Sequence, residues 1–203
     1  MREIEHCQNC DTELPEQIKR PLDLVREFTL PFLREGRGGY NLPHTQAVDY
    51  YAAILSRVTG QDELALRTAA WLHDVGDYDV ERSPSYSREI HMDFSVLRAR
   101  EFFNQLGISQ CYKREQIDRI IHIIRVHDNI DALVEKDVLT FMEADVLGGL
   151  ATNTHRFSNF NQAMAYTFSS LHRKLQLFRT DTGKQLLIPL LARFYGELAI
   201  LPH

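Results

Sequence analysis

Cysteine is scarce in this chain: Cys7, Cys10 and Cys111 are all there are in 203 residues, and an odd number argues against a disulfide framework. No uninterrupted apolar run approaches the ~20 residues that cross a bilayer. The amino terminus lacks the basic-then-apolar pattern of a secretory signal, so the expected location is the cytoplasm. A basic excess is missing as well. The formal net charge of -5 offers no general attraction to nucleic acid or anionic lipid, which argues against duplex binding and membrane association, although a local basic pocket can still hold a phosphate. Repeats, low-complexity tracts and β-alternating runs are absent.

What remains is an ordinary globular composition, 44% hydrophobic and 25% charged, in a length that buries one substantial core. Residues 1–39 read as an N-terminal helical arm ending in a glycine-rich turn and packed on the domain formed by residues 40–203. In the arm, Ile18, Leu22, Val25 and Phe28 recur at helical spacing, but Pro21 and Pro31 interrupt the hydrogen-bond ladder, so a short or broken helix is expected. Gly36-Arg37-Gly38-Gly39 invites comparison with a phosphate loop, yet the lysine and hydroxyl of a Walker sequence are missing, and a turn is the better reading. His6 and the Cys7/Cys10 pair leave open a structural zinc or two free thiols on a frayed terminus.

Helices are expected from Pro43 to Thr59, stopped by Gly60, and from Asp62 into Ala70-Trp71-Leu72-His73-Asp74-Val75-Gly76-Asp77. Further helices follow from His91 to about Leu106, from Lys113 to His127, and from about Ala132 to Leu147, with Val134 among the residues of its buried face. Two more helical patterns lie around Phe157 to Phe178 and from Thr182 to Ile200. Residues 78–90 read as a surface loop in which Arg82 and Arg88 meet either an anion or only water. The fold class is all-α, a compact single-domain helical bundle.

Four polar residues fall on or beside the core-facing stripes of three helices: His44, His73, Asp74 and Asp145. A lone histidine there is commonly a hydrogen-bonded core residue. An ionised aspartate is harder to accommodate, since burying it unpaired costs several kcal/mol and no lysine or arginine lies close by on the same helical face. Two histidines and two aspartates around one divalent metal satisfy all four. If residues 70–77 end a helix, His73 and Asp77 share a face, with Asp74 three residues before Asp77.

These residues give the sequence a resemblance to the HD-domain metal-dependent phosphohydrolases, in particular the small predicted HD hydrolases. The family signature is a histidine, a His-Asp pair and a distant aspartate. It is matched by His44 in Leu-Pro-His-Thr-Gln-Ala-Val, His73-Asp74 in Trp-Leu-His-Asp-Val-Gly, and Asp145 in Glu-Ala-Asp-Val-Leu. His91 with Ser95, the apolar helix from Ile120 to His127, and the closing segment Leu175 to Arg193 extend the likeness from about residue 40 to the end.

The resemblance implies an all-α fold, a divalent metal, and hydrolysis of a phosphate ester or anhydride, commonly in a nucleotide. Mixed imidazole and carboxylate ligands suit manganese, iron, zinc, cobalt or nickel better than calcium. Asp77 stands where several members carry an acidic residue assisting the water or the leaving group, which makes it the candidate general acid or base; the alternative is a helix-terminal aspartate exposed to water. His91 and His127 match second-metal positions of the binuclear branch, or line the pocket facing the phosphate as in mononuclear members, and the single-metal arrangement is preferred. Arg156 resembles an arginine found after the aspartate motif. The expected partner is a small phosphorylated substrate, with a homodimer admitted. Against the enzyme stand a non-catalytic metal- and nucleotide-binding sensor or scaffold and, less favoured, a di-iron oxygenase.

Overall fold

The computed structural model describes residues 15–82, 90–105, 107–152, 161, 164–165 and 167–199. The anticipated positions Cys7, Cys10, Arg88 and Arg156 lie outside these. The described residues are all-α, with no strand among them. Among them no helix is long and apolar enough to cross a membrane.

The first helix, α1 (Glu16–Glu35), runs unbroken through both prolines, contrary to the short or broken arm expected. Each proline removes one ladder bond. The stripe of Leu22, Val25, Thr29 and Leu33, all fully buried, holds the helix against the core and outweighs that loss. The Tyr112 hydroxyl donates to the Pro21 carbonyl at 3.3 Å. A tight turn, Gly36–Gly39, follows, in which Arg37 takes a left-handed backbone conformation with φ 48°.

Helix α2 (Asn41–Thr59) ends at Gly60, whose φ of 67° closes the last turn. Asp62 then caps α3 (Glu63–Leu72), its side chain accepting from Ala65 N at 3.0 Å. Every residue of α3 from Leu64 to Leu72 is buried, which makes this helix the axis of the bundle. Its one buried cation, Arg67, forks onto Asp49 of α2 at 2.6 and 3.1 Å, so neither charge is left uncompensated.

The chain does not continue as one helix through the His-Asp pair. It leaves α3 at Leu72, turns through residues 73–76, and starts the single-turn α4 (Asp77–Val80). His73 and Asp77 therefore do not share a helical face. Gly76 explains the break: its N–H donates to Ser95 Oγ at 2.9 Å, and a Cβ there would fall on the backbone of His91 and Ser95. The first turn of α5 (His91–Asn104) is thus seated directly on the motif.

Helix α6 (Arg114–Val126) presents Ile120, Ile123 and Ile124 to the core. Helix α7 (Lys136–Thr152) begins later and ends later than expected. Val134, placed on its buried face by the periodicity, lies before it and is 74% exposed. Gly148 sits inside α7 because α2 passes too close for a side chain: a Cβ would lie 2.5 Å from Val48 Cγ2 and 2.9 Å from the Val48 nitrogen. The α2–α7 pair, the most extensive helix contact in the bundle, brings His44 beside Asp145.

After a π-helical turn, Thr167–Leu171, the single-turn α8 (His172–Leu175) carries Lys174 inward. The last helix, α9 (Asp181–Leu198), is capped by Thr180 Oγ1 accepting from Gly183 N at 2.9 Å. It is tied to α7 by Glu143, which is fully buried and accepts from the Thr180 N–H at 2.9 Å and from the Thr180 hydroxyl.

Candidate metal centre

Four donor atoms from three separate places in the chain, His44, the His73-Asp74 pair and Asp145, converge. His44 Nε2 lies 3.2 Å from His73 Nε2, 3.2 Å from Asp145 Oδ1 and 3.6 Å from Asp74 Oδ2. His73 Nε2 lies 3.4 Å from Asp74 Oδ2 and 3.7 Å from Asp145 Oδ1. Two ligands each ~2.1 Å from a shared ion stand about 3.0 Å apart at a right angle and about 3.4 Å apart at a tetrahedral one. The separations in the protein, 3.2–3.7 Å, lie on either side of the tetrahedral value, and the donor set could hold a divalent metal.

The tautomers point the same way. His73 Nδ1 donates to the Ala70 carbonyl and His127 Nδ1 to the Ile124 carbonyl, both at 2.8 Å. In the neutral rings each Nε2 is then a bare lone pair. Both face Asp74, at 3.4 Å from Oδ2 and 3.6 Å from Oδ1. At His73 that lone pair opposes a carboxylate oxygen until a cation enters between them, whereas at His127, pushed up to about 9, a proton holds that place in the metal-free protein.

His91 Nε2 lies 3.2 Å from His127 Nε2, 3.6 Å from Asp74 Oδ1 and 3.8 Å from Asp128 Oδ2. Asp74 is therefore central, with one oxygen toward His44 and His73 and the other toward His91 and His127. His91, His127 and Asp128 form a second group of donors able to hold an ion.

Asp77 is 3% exposed, which removes the reading of a solvated helix-terminal aspartate. Its Oδ2 accepts from Asn41 Nδ2 at 3.2 Å and lies 3.5 Å from Arg37 Nη1. Burial and the neighbouring Asp74 charge raise its pKa despite Arg37. Burial also raises Asp74 and Asp145, but the surrounding histidines for the first, and Lys174 with His44 for the second, hold both well below the usual carboxylate range. Burial dominates at His73 and pulls it down to about 4. At His127 burial is outweighed by Asp74, Asp128 and Asp145, which push it up to about 9.

The sequence does not point to Lys174. Its Nζ lies 2.8 Å from Asp128 Oδ1 and 3.0 Å from Asp145 Oδ2, so Asp145 does have a cationic neighbour, delivered by another helix. The signal for Asp128 is a second His-Asp dipeptide, His127-Asp128. Arg37 also belongs to the site: the glycine-rich segment is a turn, and the turn aims its guanidinium at Asp77 and Asp74. Arg82, by contrast, pairs with Glu35 at 2.7 Å on the surface. Arg37, His44, Asp74, Asp145 and Lys174 line one cleft of about 390 Å³, counting the part open to solvent.

Among the described residues, Asp74, Asp128 and Asp145 line the cleft and Asp77 stands beside it against Arg37, so four carboxylates face two permanent cations, Arg37 and Lys174. Even with His127 protonated, the excess of negative charge favours a divalent ion. Fold and site together define an all-α protein with a buried His/Asp centre that could hold such a metal.

The HD domain model matches residues 42–147, and the chain belongs to the HD-domain family. A solved structure, described as a predicted HD superfamily hydrolase from an uncultured Thermotogales bacterium, superposes with a TM-score of 0.55. At 16% identity the match covers 89% of this chain and 92% of that one, a likeness of fold. No curated protein matches. Family membership and the donor clusters support placement in a superfamily of metal-dependent hydrolases.

Proposed function

We propose that the protein is a metal-dependent phosphohydrolase that cleaves a phosphate ester or anhydride of a nucleotide or another small phosphorylated metabolite. The observation that carries this reading is the convergence of His44, His73, Asp74 and Asp145 at 3.2–3.7 Å in a cleft that also holds Arg37 and Lys174. Manganese, iron, zinc, cobalt and nickel suit these ligands. One such ion supplies Lewis acidity toward a phosphoryl oxygen and acidifies water.

The chain's own groups do the rest. Arg37 and Lys174 face the cleft from opposite members of the carboxylate group and bind the phosphoryl oxygens, exchanging carboxylate for phosphate contacts. Asp77, fixed by Asn41 Nδ2, accepts a proton from the attacking water or returns one to the leaving oxygen at Oδ2. Its raised pKa suits proton exchange better than an ordinary carboxylate would. Asn41 also donates to the Asp74 carbonyl at 3.1 Å, so one side chain sets the spacing between a ligand residue and the acid-base group. His91 and His127 line the pocket in the single-ion arrangement. The grouping of His91, His127 and Asp128 favours a second arrangement with two ions, which metal stoichiometry distinguishes.

The test is phosphate or diphosphate release from a nucleotide panel by protein supplied with manganese. Release by the wild type, with Asp77→Ala keeping its metal but losing rate, supports the enzyme. Nucleotide binding without hydrolysis, unchanged in Asp77→Ala, supports the sensor or scaffold instead.

A further inference from the structure

Two imidazoles of the centre are oriented by hydrogen bonds, and His44 is not. The Nδ1 atoms of His73 and His127 each donate to a backbone carbonyl one turn earlier. A histidine that ligates a metal ordinarily has such a partner, which fixes ring orientation and tautomer. His44 Nδ1 is buried and has no hydrogen-bond partner among the described residues.

What meets the His44 ring instead is the face of Tyr40. The two rings are nearly parallel, 14° apart, with centroids 5.6 Å from one another, an offset stack. Tyr40 is itself held from three directions. Its hydroxyl lies 3.4 Å from Thr152 Oγ1, and that threonine, the last residue of α7, donates to the Gly148 carbonyl at 2.9 Å. The Arg37 guanidinium lies 5.1 Å from the Tyr40 ring centre. The Tyr40 carbonyl accepts the His44 N–H at 3.3 Å.

We propose that Tyr40 is the positioning residue of the metal centre. Its ring replaces the missing hydrogen bond as the element that orients His44. Because it spans from His44 to the end of the helix carrying Asp145, it also holds His44 Nε2 at its 3.2 Å separation from Asp145 Oδ1. This inference rests on the metal-binding reading above.

The test uses the full chain, stripped of metal and titrated with Co(II), whose visible absorption reports ligand geometry. Tyr40→Phe keeps the stacking ring without the hydroxyl, and Tyr40→Leu removes the ring. The expected result is a Kd within about two-fold of wild type for Tyr40→Phe, but a loosening of roughly ten- to hundred-fold for Tyr40→Leu, with an altered cobalt spectrum. In a His44→Ala background, Tyr40→Leu should produce no further loss, since the ring it orients is gone.

Equal affinity and an unchanged spectrum in Tyr40→Leu overturn the proposal. So does an equal loss with and without His44, which marks a general packing defect, and thermal unfolding followed in parallel shows that defect directly. If the wild type binds no divalent ion, the metal reading itself fails and takes this inference with it. A wild type that binds cobalt while Tyr40→Leu matches it refutes the inference alone.

Discussion

The contact between Gly148 and Val48 sets how closely α2 and α7 approach, and Gly148→Ala is a direct way to perturb the site from a distance. Val48 is four residues after His44 and Gly148 three after Asp145, so the contact lies about one turn from each donor. A methyl group at 148 would sit 2.5 Å from Val48 Cγ2, which a rotamer change relieves, but also 2.9 Å from the Val48 nitrogen and 3.1 Å from its Cα, which no rotamer relieves. The helices must part by about half an ångström to restore ordinary van der Waals contact. Overpacking costs ~1–3 kcal/mol, and a backbone clash belongs at the upper end. Replacing glycine by alanine inside a helix returns ~1 kcal/mol. The net is about 2 kcal/mol of destabilisation, or a fall in Tm of roughly 4–8 °C for a domain of this size. Gly196, inside α9 with open space where a Cβ would project, is the control: Gly196→Ala should gain ~0.5–1 kcal/mol. Thermal unfolding followed by circular dichroism reads both. Widening of the 3.2 Å gap between His44 and Asp145 should also weaken metal binding in Gly148→Ala and leave Gly196→Ala untouched. If Gly148→Ala melts at or above the wild type, helix approach does not depend on the missing side chain.

Lys174→Met should act with opposite signs on two readouts. Losing the cation beside Asp128 and Asp145 tightens divalent metal binding yet raises KM for an anionic substrate at least ~10-fold, and parallel changes in both would refute its role. Glu143→Gln keeps the shape but replaces a buried acceptor of the Thr180 N–H and hydroxyl, so it should cost ~2–3 kcal/mol in a chemical melt with metal affinity retained. In metal-stripped protein, His73 is held down to about 4, so the unfolded chain binds more protons between that value and its ordinary pKa near 6.5, and stability falls as pH drops through this window. His127, raised to about 9, stabilises fully below ~6.5, and that contribution is lost as pH rises through 9. Urea denaturation should therefore find the greatest contribution from this pair near pH 6.5; a flat profile would contradict both assignments.

Much of the bundle is legible in the sequence because its signals are local. Asp62, Thr180 and Gly60 cap helices where residue type alone suggests they would. His44, His73, Asp74 and Asp145 stand out because each interrupts an apolar stripe, and a stripe is visible in sequence. The features that differ depend on contacts between distant segments. Pro21 and Pro31 do not break α1, because core packing outweighs two lost ladder bonds. The helix through the His-Asp pair stops early, because Gly76 gives its N–H to Ser95. Helix α7 runs past Leu147, and the reason for a glycine at 148 is visible only once Val48 is placed against it. Lys174 lies in the polar run His172-Arg173-Lys174, where nothing local separates the one inward cation from its neighbours. Arg37 escapes a comparison with phosphate loops because its role is not that of a loop backbone; its left-handed turn simply directs the side chain at Asp77.

The metal content of the wild type beside Asp74→Ala tests the central claim most directly. Asp74 places an oxygen near each of four imidazoles, His44, His73, His91 and His127. Elemental analysis of protein purified without chelator should find a bound divalent transition metal in the wild type and essentially none in a folded Asp74→Ala. Metal content that survives Asp74→Ala unchanged would contradict the account.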